Sequence, residues 1–194
     1  TINANNGNVF IVNPAGVTIG KSAQINVGSL YVSNQNLGKE EFNKFNQNGN
    51  LDSLGNNNIT AGELMHLGYI NAAEGKVTFV GDRIVLDANR IRDNQGKQLA
   101  ASGINVTTKD RKTDNLVIGY NAYNVGTSGT FADKNSDEVI ATVNDNGYTK
   151  KQGYMWIDNV QQLQAMNTNV SGNYALHNSI DAVETGTWTN TSGF

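Results

Sequence analysis

The sequence predicts an all-β solenoid, a parallel β-helix whose short strands stack coil upon coil, and three observations predict it. The first is composition. Asn occurs 31 times and Gly 21 times, and Asn, Gly, Thr, Ser and Gln together make 87 of the 194 residues, while charged residues are only 16%. Asn, Gly and Ser favour turns and Thr also favours strands, whereas a helical bundle draws on Ala, Leu, Glu and Lys. The second is that apolar pieces of three to five residues recur between Gly and Asn punctuation. Strands this short cannot build long-faced hairpins, but they suit coils in which each face lies on the one below. The third is an echo: Val17-Thr18-Ile19 precedes Ile25-Asn26-Val27 much as Val77-Thr78-Phe79-Val80 precedes Ile84-Val85-Leu86. At roughly 20 residues per coil this spacing fits consecutive faces of one turn of a solenoid.

In chain order, Val9–Val12, Gly16–Ile19, Ala23–Val27 and Leu30–Val32 are the first faces, separated by two- to four-residue turns. An insertion from about Ser33 to Gly68 interrupts them. Lys39-Glu40-Glu41-Phe42-Asn43-Lys44-Phe45 within it has helical character, and Phe42 and Phe45 share a face that would cover the side of the solenoid. Tyr69–Ala72, Lys76–Val80, Arg83–Leu86, Ile91 and Gly103–Thr107 resume the pattern. Stacked amides hydrogen-bond along a stacking axis, so Asn ladders at coil turns would absorb part of the Asn excess.

Beyond Lys109 the character changes. A charged connection, Lys109–Asp114, leads to strand candidates Asn115–Tyr120 and Glu138–Val143 with Gly/Ser/Thr-rich stretches between them. The tail reads as strand, helix, strand: Asp158 caps a helix over Val160–Met166, and Ser171–Leu176 returns as a strand. The expected organisation is therefore residues 1–108 as β-helix, 109–152 as a β-rich extension and 153–194 as a small repeat-like module.

Charge and composition exclude several function classes. Net charge is −3, with 14 basic and 17 acidic residues interspersed, so neither nucleic acid nor an anionic membrane surface is an expected partner. Cysteine is absent, which removes disulfides, thiolate metal sites and cysteine nucleophiles together. No apolar run reaches the length of a membrane span, and no signal-like h-region opens the chain. The start, Thr1-Ile2-Asn3, is already in strand-like alternation, as expected of a mature or excised piece of something longer.

The stretch from Gly7 to Leu30, GNVFIVNPAGVTIGKSAQINVGSL, closely resembles the secretion domain of two-partner secretion exoproteins, the filamentous-haemagglutinin-like family. The family's Asn-Pro-Asn-Gly-Ile element is matched by Asn13-Pro14-Ala15-Gly16-Val17, with Ala15 and Val17 as departures. The physical logic of a turn survives them: Pro14 fixes φ, Gly16 accepts positive φ and Val17 turns inward to begin the next strand. The likeness covers roughly residues 1–107, including the insertion after Val27-Gly28-Ser29-Leu30 and the segment Asn71-Ala72-Ala73-Glu74-Gly75-Lys76-Val77. The family's upstream Asn-Pro-Asn-Leu element and amino-terminal cap have no counterpart in it. The tail, from Ile157 to Trp188, is similar to the Gly-Leu-rich repeat modules of bacterial surface adhesins.

The resemblance implies a right-handed parallel β-helix with an extra-helical insertion and a small strand-helix-strand C-terminal extension. It also implies export through the periplasm, recognition by a dedicated outer-membrane transporter at residues 13–17, a secreted or cell-surface location, and a host-surface glycan or protein as the downstream partner. Glycosylation at the Asn-x-Ser/Thr sites Asn58, Asn105, Asn169 and Asn190 is a further expectation.

Elsewhere, residue patterns that carry chemistry are sparse. His66 and His177 lack ligand spacing, so each is expected to be structural or exposed, with no metal and no cofactor. Asp133-x-Asn135-x-Asp137-Glu138 begins like a calcium loop but lacks its later ligands. The pairs Asp82/Asp87 and Asp110/Asp114 are the candidates for a carbohydrate-active enzyme, against which Arg83, Arg90 and Lys112 suggest ion pairing. Gly126-x-x-Gly129 lacks the context of a phosphate loop. Tyr120, Tyr123, Tyr148, Tyr154, Trp156 and Trp188 could stack on sugars, although burial is the simpler role. No catalytic residue is assigned, and the expected function is non-enzymatic: the resemblance implies the secretion domain of a large surface or released adhesin, with a carbohydrate-binding or carbohydrate-active β-helix protein, or the secretion domain of a haemolysin or contact-dependent toxin, as the alternatives.

Overall fold

The computed structural model of the chain describes residues 1–48, 58–109, 115–124, 129–131 and 153–188. Alternating apolar residues organise these into two parallel sheets. The five-stranded sheet contains β1 (Ile2–Val12), β3 (Gln24–Ser33), β5 (Tyr69–Gly81) and, end to end along β5, β7 (Ile91–Arg92) and β8 (Ile104–Thr108). The six-stranded sheet contains β2 (Gly16–Ile19), β4 (Glu63–His66), β6 (Arg83–Asp87), β9 (Leu116–Tyr120), β12 (Gly153–Ile157) and β13 (Tyr174–Leu176), in the order β13-β12-β9-β6-β4-β2. From β1 to β6 the chain passes to the other sheet at every step. A two-stranded antiparallel pair, β10 (Tyr123–Asn124) and β11 (Thr130–Phe131), forms a ladder of its own and packs Phe131 into the core against Tyr174.

Register turns the sequence alternation into stacked apolar rows. In the first sheet, Val9, Leu30, Val77 and Ile104 stand in line, as do Ile25, Ile70 and Ile91. In the second, Val17, Leu64, Ile84 and Leu116 form one row, and Ile19, His66, Leu86 and Ile118 another. Both sets feed one continuous core, in which Ile70, Val77, Ile84, Leu86, Ile104 and Ile118 are fully buried. Each such side chain stabilises the fold by about 1.5–3 kcal/mol relative to exposure.

The expected closed, right-handed β-helix is not what forms: the strands make two open parallel sheets. The difference lies in the punctuation. Ile25–Val27 and Leu30–Val32 were expected as separate faces, but both belong to β3, and Tyr69–Ala72 and Lys76–Val80 both belong to β5. The strands run on through register shifts between Ala4 and Asn8 and between Val27 and Ser29. Glycine at these sites marks a bulge within a strand rather than a corner between faces.

The helix predicted in the insertion is α1 (Lys39–Asn48), with Glu40 and Glu41 in its first turn, where the helix dipole favours negative charge. Phe42 does not cover the sheets, since it is 52% exposed. Toward the other end, β12 joins the six-stranded sheet beside β9, helix α2 (Val160–Ala165) follows, and β13 adds to β12. Asn159, not Asp158, caps α2: its Oδ1 accepts from Gln162 N at 2.9 Å, while the Gln162 side chain accepts from Asp158 N at 2.7 Å. This reciprocal cap leaves the Asp158 carboxylate free for another task. No helix among the described residues is long and apolar enough to cross a membrane.

Candidate functional site

Residues 13–15 connect β1 to β2, whose first residues are Gly16 and Val17, in a turn whose chemistry is local. Gly16 N donates to Asn13 O at 2.9 Å, and Ala15 N donates to Asn13 Oδ1 at 3.1 Å. Asn at the first position, Pro at the second and Gly at the fourth are the preferred residues of such a turn, and the Asn side chain adds its own closure. Gly16 takes φ +110°, and a Cβ there would lie 2.6 Å from Glu63 O. Only glycine lets β2 pair with β4 at that point. Asn13, Pro14 and Ala15 are exposed, Gly16 is half-buried, and half-buried Val17 packs against the core.

The turn rests on both ends of the insertion. Asn34, fully buried, donates through Nδ2 to Thr60 O at 3.0 Å and Gly62 O at 2.9 Å. The Thr60 hydroxyl lies 2.5 Å from the carbonyl oxygens of both Pro14 and Asn34, within donating distance of each. Asn13 N donates to Ser33 O at 2.9 Å. Sequence reasoning missed the roles of Asn34 and Thr60; the only signal was that Asn34 opens the insertion.

A second assembly forms where strand ends of the six-stranded sheet meet. Asp87 ends β6, Asp158 follows β12, His177 follows β13, and Lys21 follows β2. His177 Nδ1 lies 2.8 Å from Asp158 Oδ1, and its Nε2 lies 3.8 Å from Asp87 Oδ2. Lys21 Nζ donates to Asp158 Oδ1 and to Asn178 Oδ1, both at 2.7 Å. Arg90 Nε pairs with Asp87 Oδ2 at 3.1 Å. The His177 ring stacks on Trp156, with centroids 4.5 Å apart and planes 12° from parallel. Burial pushes the Asp87 carboxyl up to about 6, against the pull of Arg90. Burial also raises Asp158, but its contacts with Lys21 and His177 outweigh this and hold it below the usual carboxylate value. Burial lowers the His177 imidazole, against Asp158. The contacts of His177 are carboxylates and an indole, so the arrangement is a clamp tying the segment after β13 to the sheet.

The remaining candidates separate. Asp82 immediately precedes β6 and Asp87 ends it, roughly 16 Å apart along an extended chain, so they do not form a pair. His66 lies in the core row between Ile19 and Leu86, fully buried, beside Phe79 at 5.7 Å, and burial lowers its imidazole to about 3. Tyr120 and Trp156 are buried, and Tyr123, Tyr154 and Trp188 are half-buried. Asn58 is exposed in a turn with φ 62°, half-buried Asn105 lies within β8, and half-buried Asn169 accepts from Ser171 Oγ at 3.3 Å. Asp110, Asp114, Gly126, Asp133, Asn135, Asp137, Glu138, Tyr148 and Asn190 lie outside the described residues, as does the strand candidate Glu138–Val143. Among the described residues no group of three or more His, Asp or Glu is arranged to hold a metal ion.

Against known proteins, no family model matches the chain, and no solved structure matches it. Over 113 residues it is 30% identical to the Heme/hemopexin-binding protein of Haemophilus influenzae, an alignment that covers 53% of this chain and 11% of that protein. The chain thus spans about a tenth of the length of the curated relative it matches.

Proposed function

We propose that the chain is the secretion domain of a large bacterial surface or released adhesin, non-enzymatic in itself. A cognate outer-membrane β-barrel transporter of the two-partner type recognises it at Asn13-Pro14-Ala15-Gly16-Val17. The observation that carries this reading is the turn: its three exposed residues stand on a platform closed by backbone hydrogen bonds and by buried Asn34. That is how a recognition element is held in a fixed shape. The resemblance of residues 7–30 to such secretion domains and the partial likeness to a protein named for binding heme and hemopexin support a secreted, attachment-related role. Stepwise addition of parallel strands gives export a physical bias, because each emerging strand buries apolar surface and completes backbone hydrogen bonds on the edge of the last.

The test is co-expression with the outer-membrane transporters of the source genome, followed by assay of the medium. Pro14→Ala changes chain entropy by about 0.4–1 kcal/mol and leaves the platform intact, so folding should survive while export falls. Export undiminished in a folded Pro14→Ala variant overturns the assignment of the turn. Retention with every transporter overturns the secretion reading itself.

A further inference from the structure

The face of the five-stranded sheet turned away from the core carries a polar groove of about 730 Å³. Its floor is an amide ladder. Asn3, Asn26 and Asn71 stand in register on β1, β3 and β5. Asn26 Nδ2 donates to Asn3 Oδ1 at 2.7 Å, and Asn71 Nδ2 donates to Asn26 Oδ1 at 2.6 Å. Asn5 and Asn6, at the bulge of β1, line the groove. So does the tight turn after β7, in which Asp93 N donates to Lys97 O at 2.8 Å and Gly96 N to Asp93 O at 3.1 Å.

The valence of the ladder is incomplete. A primary amide has two N–H donors and an oxygen with two lone pairs, and the ladder uses one of each at Asn26. Each rung therefore keeps at least one donor and one acceptor for a ligand. Rungs repeat at the cross-strand spacing of about 4.8 Å, close to the length of one pyranose unit. A sugar hydroxyl is itself both donor and acceptor and matches such a rung. Among the lining residues there is no Lys or Arg to hold a phosphate or sulfate; Arg92, in register with Asn71 on β7, is engaged with Gly96 O at 2.9 Å and lies over the Tyr69 ring, and the single carboxylate, Asp93, uses Oδ1 to accept from Gln95 N and Lys97 N, both at 2.9 Å.

We propose that this groove binds an uncharged glycan strand lying along the Asn3–Asn26–Asn71 ladder, across the β-strands. The site gives the attachment role a chemical class of partner and lies apart from residues 13–17. Binding is read on purified protein and export on living cells, so failure of one is distinguishable from failure of the other.

The experiment titrates the isotope-labelled chain with neutral oligomers of glucose, mannose and N-acetylglucosamine, and in parallel with a sulfated oligosaccharide, following the side-chain amide resonances of Asn by NMR. The expected result is saturable shifts at the ladder and rim with neutral oligomers only. Asn71→Ala is expected to weaken binding about tenfold, the equivalent of one or two hydrogen bonds. Asn5→Ala and Asn94→Ala, on exposed rim positions that leave the ladder intact, carry the test if Asn71→Ala fails to fold, and each is expected to weaken binding severalfold. Unshifted amides at about 10 mM of every neutral oligomer overturn the proposal. So does preference for the sulfated probe, or binding undiminished in the rim variants.

Discussion

Gly119 on β9 lies beneath the Trp156 ring, and Gly119→Ala tests whether the clamp is a structural unit. A Cβ at this position would stand 1.8 Å from Trp156 Cζ2 and 2.0 Å from Cε2. Ordinary contact begins near 3.4 Å, so the indole must retreat by about 1.6 Å. Trp156 is buried and its other face stacks on His177 at 4.5 Å, so the ring cannot retreat without displacing the imidazole from Asp158. Overpacking a filled core costs about 1–3 kcal/mol, the ring pair contributes about 0.5–1.5 kcal/mol, and the imidazole–carboxylate hydrogen bond about 1.5–3 kcal/mol. These terms overlap, and about 3–5 kcal/mol is the expected loss. Urea unfolding followed by tryptophan fluorescence measures it, and the same substitution placed in a Trp156→Leu background should cost far less. A loss below about 1 kcal/mol, or an equal loss in both backgrounds, would refute the reasoning.

Two buried titrating groups pull stability in opposite directions with pH. His66 is lowered from 6.5 to about 3, so its contribution is full above pH 6.5 and is lost as pH falls through that window, by about 5 kcal/mol at the acid end. Asp87 is raised from 3.8 to about 6, so its contribution grows as pH falls from about 6 toward 3.8, by about 3 kcal/mol. Asp87→Asn should therefore steepen acid destabilisation between pH 6 and 4, and His66→Leu should flatten it, as measured by urea midpoints across that range. Asn34→Ala leaves the carbonyls of Thr60 and Gly62 without their buried donor and is expected to cost about 2–4 kcal/mol by thermal unfolding, with a parallel fall in export.

What the sequence made legible follows from how local each feature is. The stacked apolar rows were readable, because inward residues alternate on every strand and each strand meets a similar one in register. The 13–17 turn was readable, because Asn, Pro and Gly each act through their own backbone. The two-sheet arrangement was not, since Gly28 and Gly75 look the same in sequence whether the chain turns a corner or bulges within a strand. The cap of α2 was misplaced by one residue because Asp158 and Asn159 are both good caps, and only the three-dimensional pull of Lys21 and His177 on Asp158 decides between them. Of the clamp only the pairing of Asp87 with Arg90 was legible; the rest comes from positions 21, 156, 158 and 177, which meet only once six strands have paired.

The insertion and the turn are one construction. Leaving β3, the chain spends Asn34 on the carbonyls of Thr60 and Gly62, and returning toward β4 it places the Thr60 hydroxyl against Pro14 O and Asn34 O. The closure is made at the base of the excursion, at Asn34, Thr60 and Gly62, rather than along α1. Asn13, Pro14 and Ala15 face solvent, while the groups that fix their positions are backbone atoms, the Asn13 side chain itself, half-buried Thr60 and buried Asn34. A partner that reads this turn therefore meets a preformed shape and spends little of its binding free energy on ordering it, and that preorganisation would be lost first at Asn34, well inside the surface the partner touches.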